Sequence, residues 1–328
     1  MKRVTVADIM QETGLSRATV DRVLNGRGRV HARTKHVVHE TIQRLQSPAG
    51  TDRFAPSADM LLRVGRGMTR QMTAVWEARG VKGDIHDVYD VTEADIIRTI
   101  RHLAEDSSRP LILTVKNSDG IVEALRQARG AGKRIITLVS DVAADARDHF
   151  VGIDNRAAGQ TAAYLIGGML AGRQATVGVV VGDTAFRCHE DREIGFRTGL
   201  RAQFPLLTIA PEARGEDSAD LTRRAVAHLL DEHPQLAAIY NVGGGNQGLA
   251  AALEAVGRAG DVAVISHDVN FVTAPLLRGH VLNYVIASDP AHLLTTALGI
   301  ATALPDTRDT TLVDFGIYSR FNLPTFAQ

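Results

Sequence analysis

From residue 58 onward, short apolar runs alternate with longer stretches whose apolar residues recur every three or four positions. The runs at 58–64, 82–88, 111–115, 134–139, 149–153, 175–181, 237–242, 261–266 and 282–287 predict strands. The stretches at 67–80, 93–105, 118–131, 155–171, 217–233, 245–258 and 289–304 predict amphipathic helices. Repeated strand–helix units predict parallel, doubly wound sheets with helices on both faces. A body of about 270 residues is too large for one compact core, so two lobes are expected.

The first 46 residues follow a different period. Thr5 and Asp8 have capping-box spacing ahead of a helix with Val6, Ile9 and Met10 on its apolar face. Thr13-Gly14-Leu15 predicts a tight turn, and Ser16 a cap for a second helix over Arg17–Leu24. A third helix is expected from about Arg33 to Leu45, after a glycine-rich loop. Two short helices around a turn, closed by a third, make a helix-turn-helix. Pro48, Gly50 and Pro56 then mark a linker. The expected fold is therefore an all-α helix-turn-helix head (1–46), a linker (47–57) and a two-lobed α/β body (58–328).

Composition narrows the class. The chain has 328 residues, 37 basic and 37 acidic, with 45% hydrophobic positions, an ordinary globular balance. Cys188 is the single cysteine, which excludes an internal disulfide and a cysteine-rich zinc site. No apolar run reaches the length of a membrane span or forms a leader behind Lys2 and Arg3, so a cytoplasmic protein is expected. The neutral total conceals an asymmetry. Residues 1–48 hold nine Lys/Arg against four acids, leaving the rest of the chain with an acidic excess of five. A basic head on an acidic body suggests nucleic-acid contact through the head, although a solvated basic surface has the same composition.

The head is similar to that of the LacI/GalR family of bacterial transcription regulators. The resemblance lies in Val4-Thr5-Val6-Ala7-Asp8-Ile9, Gly14-Leu15-Ser16, Thr19-Val20, Arg22-Val23-Leu24-Asn25 and Arg33-Thr34. The body resembles that family's sugar-binding regulatory domain and its periplasmic-binding-protein relatives. It does so through Val151-Gly152-Ile153-Asp154-Asn155, Arg192-Glu193-Ile194-Gly195-Phe196, Ala238-Ile239-Tyr240-Asn241 and Val264-Ile265-Ser266-His267-Asp268. The resemblance implies a homodimeric repressor of a pseudo-palindromic operator, controlled by a small effector, with no catalysis, cofactor or metal. Arg17 and Ala18 would discriminate bases and Arg22 would contact guanine. Thr19, Asn25 and Thr34 would bond phosphates and set register, and Thr5 and Ser16 would also lie at the DNA. Three positions depart from the pattern. Asp21 replaces a small hydroxyl residue, His31 replaces a capping serine, and the linker lacks the residues of a minor-groove hinge helix.

Polar residues just after the strands of a doubly wound sheet lie where ligands bind. That rule selects Asp141 and Asp154 from the first lobe and Arg192, Asn246 and Asp268 from the second. Asp154, Arg192 and Asp268 match the family's sugar contacts, and Asn246 matches less securely. Carboxylates opposite an arginine suit a neutral sugar or polyol, though each residue could instead be a helix cap or an ion pair. Phe186 and Phe271 could stack on a sugar face or pack in the core. Gly243, Gly245 and Gly248 spell G-x-G-x-x-G, with Asp268 twenty residues further on. That is the dinucleotide fingerprint, so an NAD(H)-sensing regulator is the rival reading. Cys188-His189-Glu190-Asp191 resembles a catalytic cluster, but neighbours on a helix point apart. An enzyme is not expected.

Overall fold

The computed structural model describes residues 5–13, 15–24, 34, 38, 56–303 and 308–324. The chain forms two units, Met1–Phe54 and Ala55–Gln328. In the first, α1 (Val6–Thr13) and α2 (Arg17–Leu24) enclose Ile9, Val20, Val23 and Val38. The Ser16 hydroxyl accepts from Thr19 N at 3.4 Å, the expected cap. Asn25, most of the expected third helix and linker residues 47–55 lie outside the described residues.

The second unit is built from β1 (Asp59–Leu62), α3 (Arg66–Ala78), β2 (Ile85–Asp87), α4 (Glu93–Ala104), β3 (Leu111–Thr114), α5 (Asp119–Gly130), β4 (Ile135–Leu138) and β5 (His149–Gly152). It continues with α6 (Asn155–Met169), β6 (Ala175–Val181), α7 (Arg187–Gln203), β7 (Leu207–Ile209), β8 (Ala213–Arg214), α8 (Ala219–Glu232), β9 (Leu236–Asn241) and α9 (Asn246–Ala255). The chain closes with β10 (Ala263–His267), α10 (Thr273–Arg278), β11 (Tyr284–Ala287), α11 (Pro290–Thr302), β12 (Thr310–Leu312) and β13 (Gly316–Tyr318).

Two sheets result, ordered β12-β5-β4-β3-β1-β2 and β13-β11-β10-β9-β6-β7, with β8 beside β6. The first is wholly parallel; in the second only β13 runs antiparallel. Both faces of each sheet are covered, which is why the central strands read as unbroken apolar runs. Along β1, Met60 and Leu62 face one hydrophobic layer and Leu61 the opposite one. The chain crosses between lobes three times, after β5, after β11 and after β12. At the first two crossings an aspartate caps the helix that follows. Asp154 Oδ1 accepts from Ala157 N at 2.9 Å, and Asp289 Oδ1 from Ala291 N at 2.8 Å.

Candidate functional site

In each sheet the strand order reverses beside the first strand of the lobe, between β1 and β3 and between β6 and β9. Loops leave such a switch point in opposite directions and open a crevice. A cavity of about 710 Å³ lies there, between the lobes. Arg63 and Gly65–Met68 after β1, Thr114 and Lys116 at β3, and Val139 and Ser140 after β4 form one wall. Asp183, Phe186, His189, Arg192 and Asp217, the Gly243–Asn246 turn, and His267, Asp268 and Phe271 contribute to the other. The walls are already joined. Lys116 pairs with Asp183, and Asn117 N donates to Ala185 O at 2.7 Å. Arg187 Nη1 donates to Val142 O at 2.9 Å.

Arg192 is set one turn inside α7 and is only 3% exposed. Its Nε donates to Asn155 Oδ1 at 2.8 Å and its Nη1 to Val242 O at 3.2 Å. Among the described residues no carboxylate is paired with it. Burial works to discharge the guanidinium, but the neighbouring anionic groups, Asp268 among them, hold its pKa above the usual value. Asp268 closes β10 in a left-handed conformation (φ 62°), and its carboxylate accepts no hydrogen bond from the described residues. The cavity therefore presents one desolvated donor and one free acceptor. Beside them Asn246 spends its Oδ1 on Ser266 Oγ (2.7 Å) and Asn241 Nδ2 (3.0 Å), which leaves its amide nitrogen for a ligand.

His267 and His189 behave oppositely. His267 shares a 2.7 Å hydrogen bond with the Tyr240 hydroxyl, and its Nδ1 is buried without a partner. Burial, reinforced by Arg192, pushes it well below the usual histidine value, so the ring is neutral. His189 overcomes the cost of burial through Cys188 and Asp217 and rises to about 9. Phe186 is almost fully buried and Phe271 is 57% exposed, both at the cavity.

Of the five body residues selected from sequence, the fold brings Arg192, Asn246 and Asp268 to the cavity and leaves two elsewhere. Asp154 caps α6 on the surface. Asp141 accepts from Thr137 Oγ1 at 2.7 Å and takes both arms of Arg147 at 2.9 Å. Each follows a strand as expected, but backbone donors and a neighbouring guanidinium claim the carboxylate first. The same rule, applied to every strand, would have reached Arg63, Lys116 and Asp183; His267, inside β10, carried no such signal.

The glycine motif forms the expected strand-to-helix turn, with Gly245 left-handed at φ 77°. The place a pyrophosphate would take is filled from within, because Asp217 Oδ1 accepts from Gly244 N at 2.7 Å. A protein carboxylate on that amide repels a dinucleotide's phosphates, which removes the NAD(H) reading. No group of three or more metal-ligating side chains occurs among the described residues. No helix among them is long and apolar enough to cross a membrane.

Residues 100–306 match the family described as "Periplasmic binding protein domain". The chain belongs to that family. A D-ribose/D-allose-binding protein of Pseudomonas aeruginosa is 26% identical over 238 residues, 68% of this chain and 70% of that protein. A glucose-galactose binding protein from Geobacillus stearothermophilus superposes with a TM-score of 0.74 at 17% identity, over 83% of this chain and all of that one. An ABC transporter solute-binding protein from Burkholderia graminis, solved with D-arabinose, gives 0.75 at 18% identity, over 85% of this chain and all of that one. These are binding proteins, not enzymes, as expected for this periplasmic binding protein domain.

The matches correct the function expected from the head. The proteins matched are sugar-binding and transporter solute-binding proteins, not DNA-binding regulators. Transcriptional repression, operator DNA, the homodimer upon it and the cytoplasmic location find no support in these matches, which run to the periplasmic binding protein domain family and to sugar- and solute-binding proteins. The DNA expectation rested on local features that a solvated helix shares. Arg22 Nε donates to Ala18 O of its own helix at 3.0 Å, and Arg17 lies 3.9 Å from Asp21 on an exposed face. Thr5, Ser16 and Thr19 belong to the start of α1 and the cap of α2, and Thr34 is part-buried.

Proposed function

We propose that the chain binds an aldose, a pentose or hexose, in the cavity between its lobes. The observation that carries the reading is the guanidinium of Arg192, which has no carboxylate partner among the described residues, facing the same space as the carboxylate of Asp268. A sugar hydroxyl donates to a carboxylate and accepts from a guanidinium, so one ligand satisfies both. Asn246 adds a third contact, and Phe186 and Phe271 supply faces for the sugar's C–H surface. The relative's name, D-ribose/D-allose-binding protein, supports the substrate class.

Titration calorimetry of the full chain with D-ribose, D-allose, D-arabinose, D-glucose and D-galactose tests this. At least one sugar should bind, and Arg192→Ala and Asp268→Ala should each cost about 1–3 kcal/mol of binding energy. Binding unchanged in both variants, or no binding of any sugar, would sink the reading.

We further read residues 1–46 as a separate helical unit of helix-turn-helix shape, as in the LacI/GalR heads the sequence resembles. The pairing of α1 and α2 around Ile9, Val20 and Val23 supports that shape. Residues 58–328 expressed alone should then keep the sugar affinity of the full chain.

A further inference from the structure

Two consecutive residues of the cavity wall, Glu216 and Asp217, adopt left-handed backbone at φ 48° and 59°. Neither is glycine, and such strain persists only where the surroundings impose it. The pair lies between β8 and α8, hung from the end of β6 by bonds from Gly215 N (2.9 Å) and Glu216 N (3.3 Å) to Val181 O. What the bend delivers is the Asp217 carboxylate. Its Oδ1 accepts from Gly244 N at 2.7 Å, its Oδ2 accepts from Asp183 N at 3.2 Å, and His189 Nδ1 lies 3.8 Å from Oδ2. Three glycines shape the recess that holds it: a Cβ on Gly182 or Gly243 would strike Oδ1, and one on Gly244 would press on the Asp217 Cβ. Backbone amides from two strand-end loops converge on one carboxylate, as they do in a nest for an anion. Here the anion is built in.

We propose that Asp217 is a specificity-determining residue, an internal anion that keeps phosphorylated sugars out of the cavity while leaving it open to uncharged ones. The proposal rests on the sugar reading above. Each oxygen of the carboxylate accepts one amide bond from the described residues and keeps capacity to accept from a sugar hydroxyl. A phosphate gains nothing comparable. The amides that would receive it are taken, and its charge meets that of Asp217 at close range in a partly enclosed space. The cavity's other carboxylates do not take this role: Asp183 is paired with Lys116, Asp268 is balanced by Arg192, and Glu216 is exposed to solvent. Asn241 Nδ2 holds the same turn from behind, donating to Gly243 O at 3.2 Å and Gly244 O at 2.8 Å, so the turn does not depend on Asp217 alone.

The test is titration calorimetry of the full chain with the sugars named above, with each of them esterified by phosphate at its terminal hydroxyl, and with inorganic phosphate. The wild type should favour any sugar that binds over its phosphate ester by about a hundredfold or more. Asp217→Asn keeps an acceptor for Gly244 N without the charge. Asp217→Gly takes the left-handed backbone without strain and clears both amides. Both variants should narrow the ratio by about tenfold or more, and Asp217→Gly should bind inorganic phosphate that the wild type does not. A merely structural role would weaken sugar and ester together and leave the ratio where it was. A wild type that binds ester and sugar alike, or a ratio narrowed in neither variant, overturns the assignment. Should no free sugar bind the wild type, the sugar reading falls by itself. Phosphate binding gained in Asp217→Gly would then still support the built-in anion, and its absence would overturn it.

Discussion

At the scale of single residues, the difference between a ligand contact and a structural one is which partner reaches the side chain first. Asp141, Asp154 and Asp268 all follow strands, but Arg147 and a helix amide satisfy the first two while Asp268 stays free. A comparable cluster sits at the opposite ends of the first sheet's strands. Asp59, 0% exposed, meets Lys133 Nζ at 3.3 Å and Arg109 Nη1 at 3.1 Å. Removing one partner strands a buried charge, so Asp59→Ala should cost about 3–5 kcal/mol in denaturant unfolding. His267 gives a pH effect of definite sign. It is neutral when folded, because burial depresses its pKa, while the unfolded ring takes up a proton below about pH 6.5. The unfolded chain then binds the extra proton, so stability falls with pH, by at most about 1.4 kcal/mol per unit. Melting between pH 7 and pH 5 should show this loss, and His267→Gln, which keeps a partner for Tyr240, should reduce it.

At the scale of elements, the pair α6 and α7 decides where Arg192 points. A Cβ on Gly159 would collide with the Arg192 carbonyl oxygen, and one on Gly195 with that of Arg156. The two glycines let the helix backbones touch, and that contact brings Asn155 to Arg192 Nε. Gly159→Ala should therefore destabilise the fold by about 1–3 kcal/mol through overpacking. It should also weaken sugar binding by shifting Arg192, an effect that titration of the folded variant would isolate. The same contact explains why periodicity did not predict α7. Its buried residues are Cys188, His189, Arg192, Gly195, Phe196, Gly199 and Leu200, so an arginine, a histidine and two glycines occupy positions where apolar residues are expected.

At the scale of the whole second unit, two doubly wound lobes share three crossings, and the Lys116–Asp183 pair bridges the cleft between them. Both side chains are about a quarter exposed, so the pair is partly shielded from salt. Such a bridge favours the closed arrangement before any sugar arrives. Lys116→Met should raise the radius of gyration of the sugar-free protein in small-angle scattering, with less change once a sugar is bound. An unchanged radius would mean that the other cross-cleft bonds, those from Asn117, Arg187 and Cys188 N among them, suffice to hold the lobes.

The sequence by itself determined the alternation of strands and helices, the two-lobed parallel architecture and three of the cavity's polar residues, Arg192, Asn246 and Asp268. These are legible because buried parallel strands must be apolar throughout and because ligands gather at strand ends. The short strands β7, β8, β12 and β13 were not, since so few residues carry little period; β2, equally short, was reached only inside the wider run at 82–88. Nor could sequence tell a free carboxylate from a capping one, or show that Asp217 fills the glycine turn that spells a dinucleotide motif. Those outcomes depend on partners distant along the chain, and only the packed lobes bring such partners within hydrogen-bonding reach.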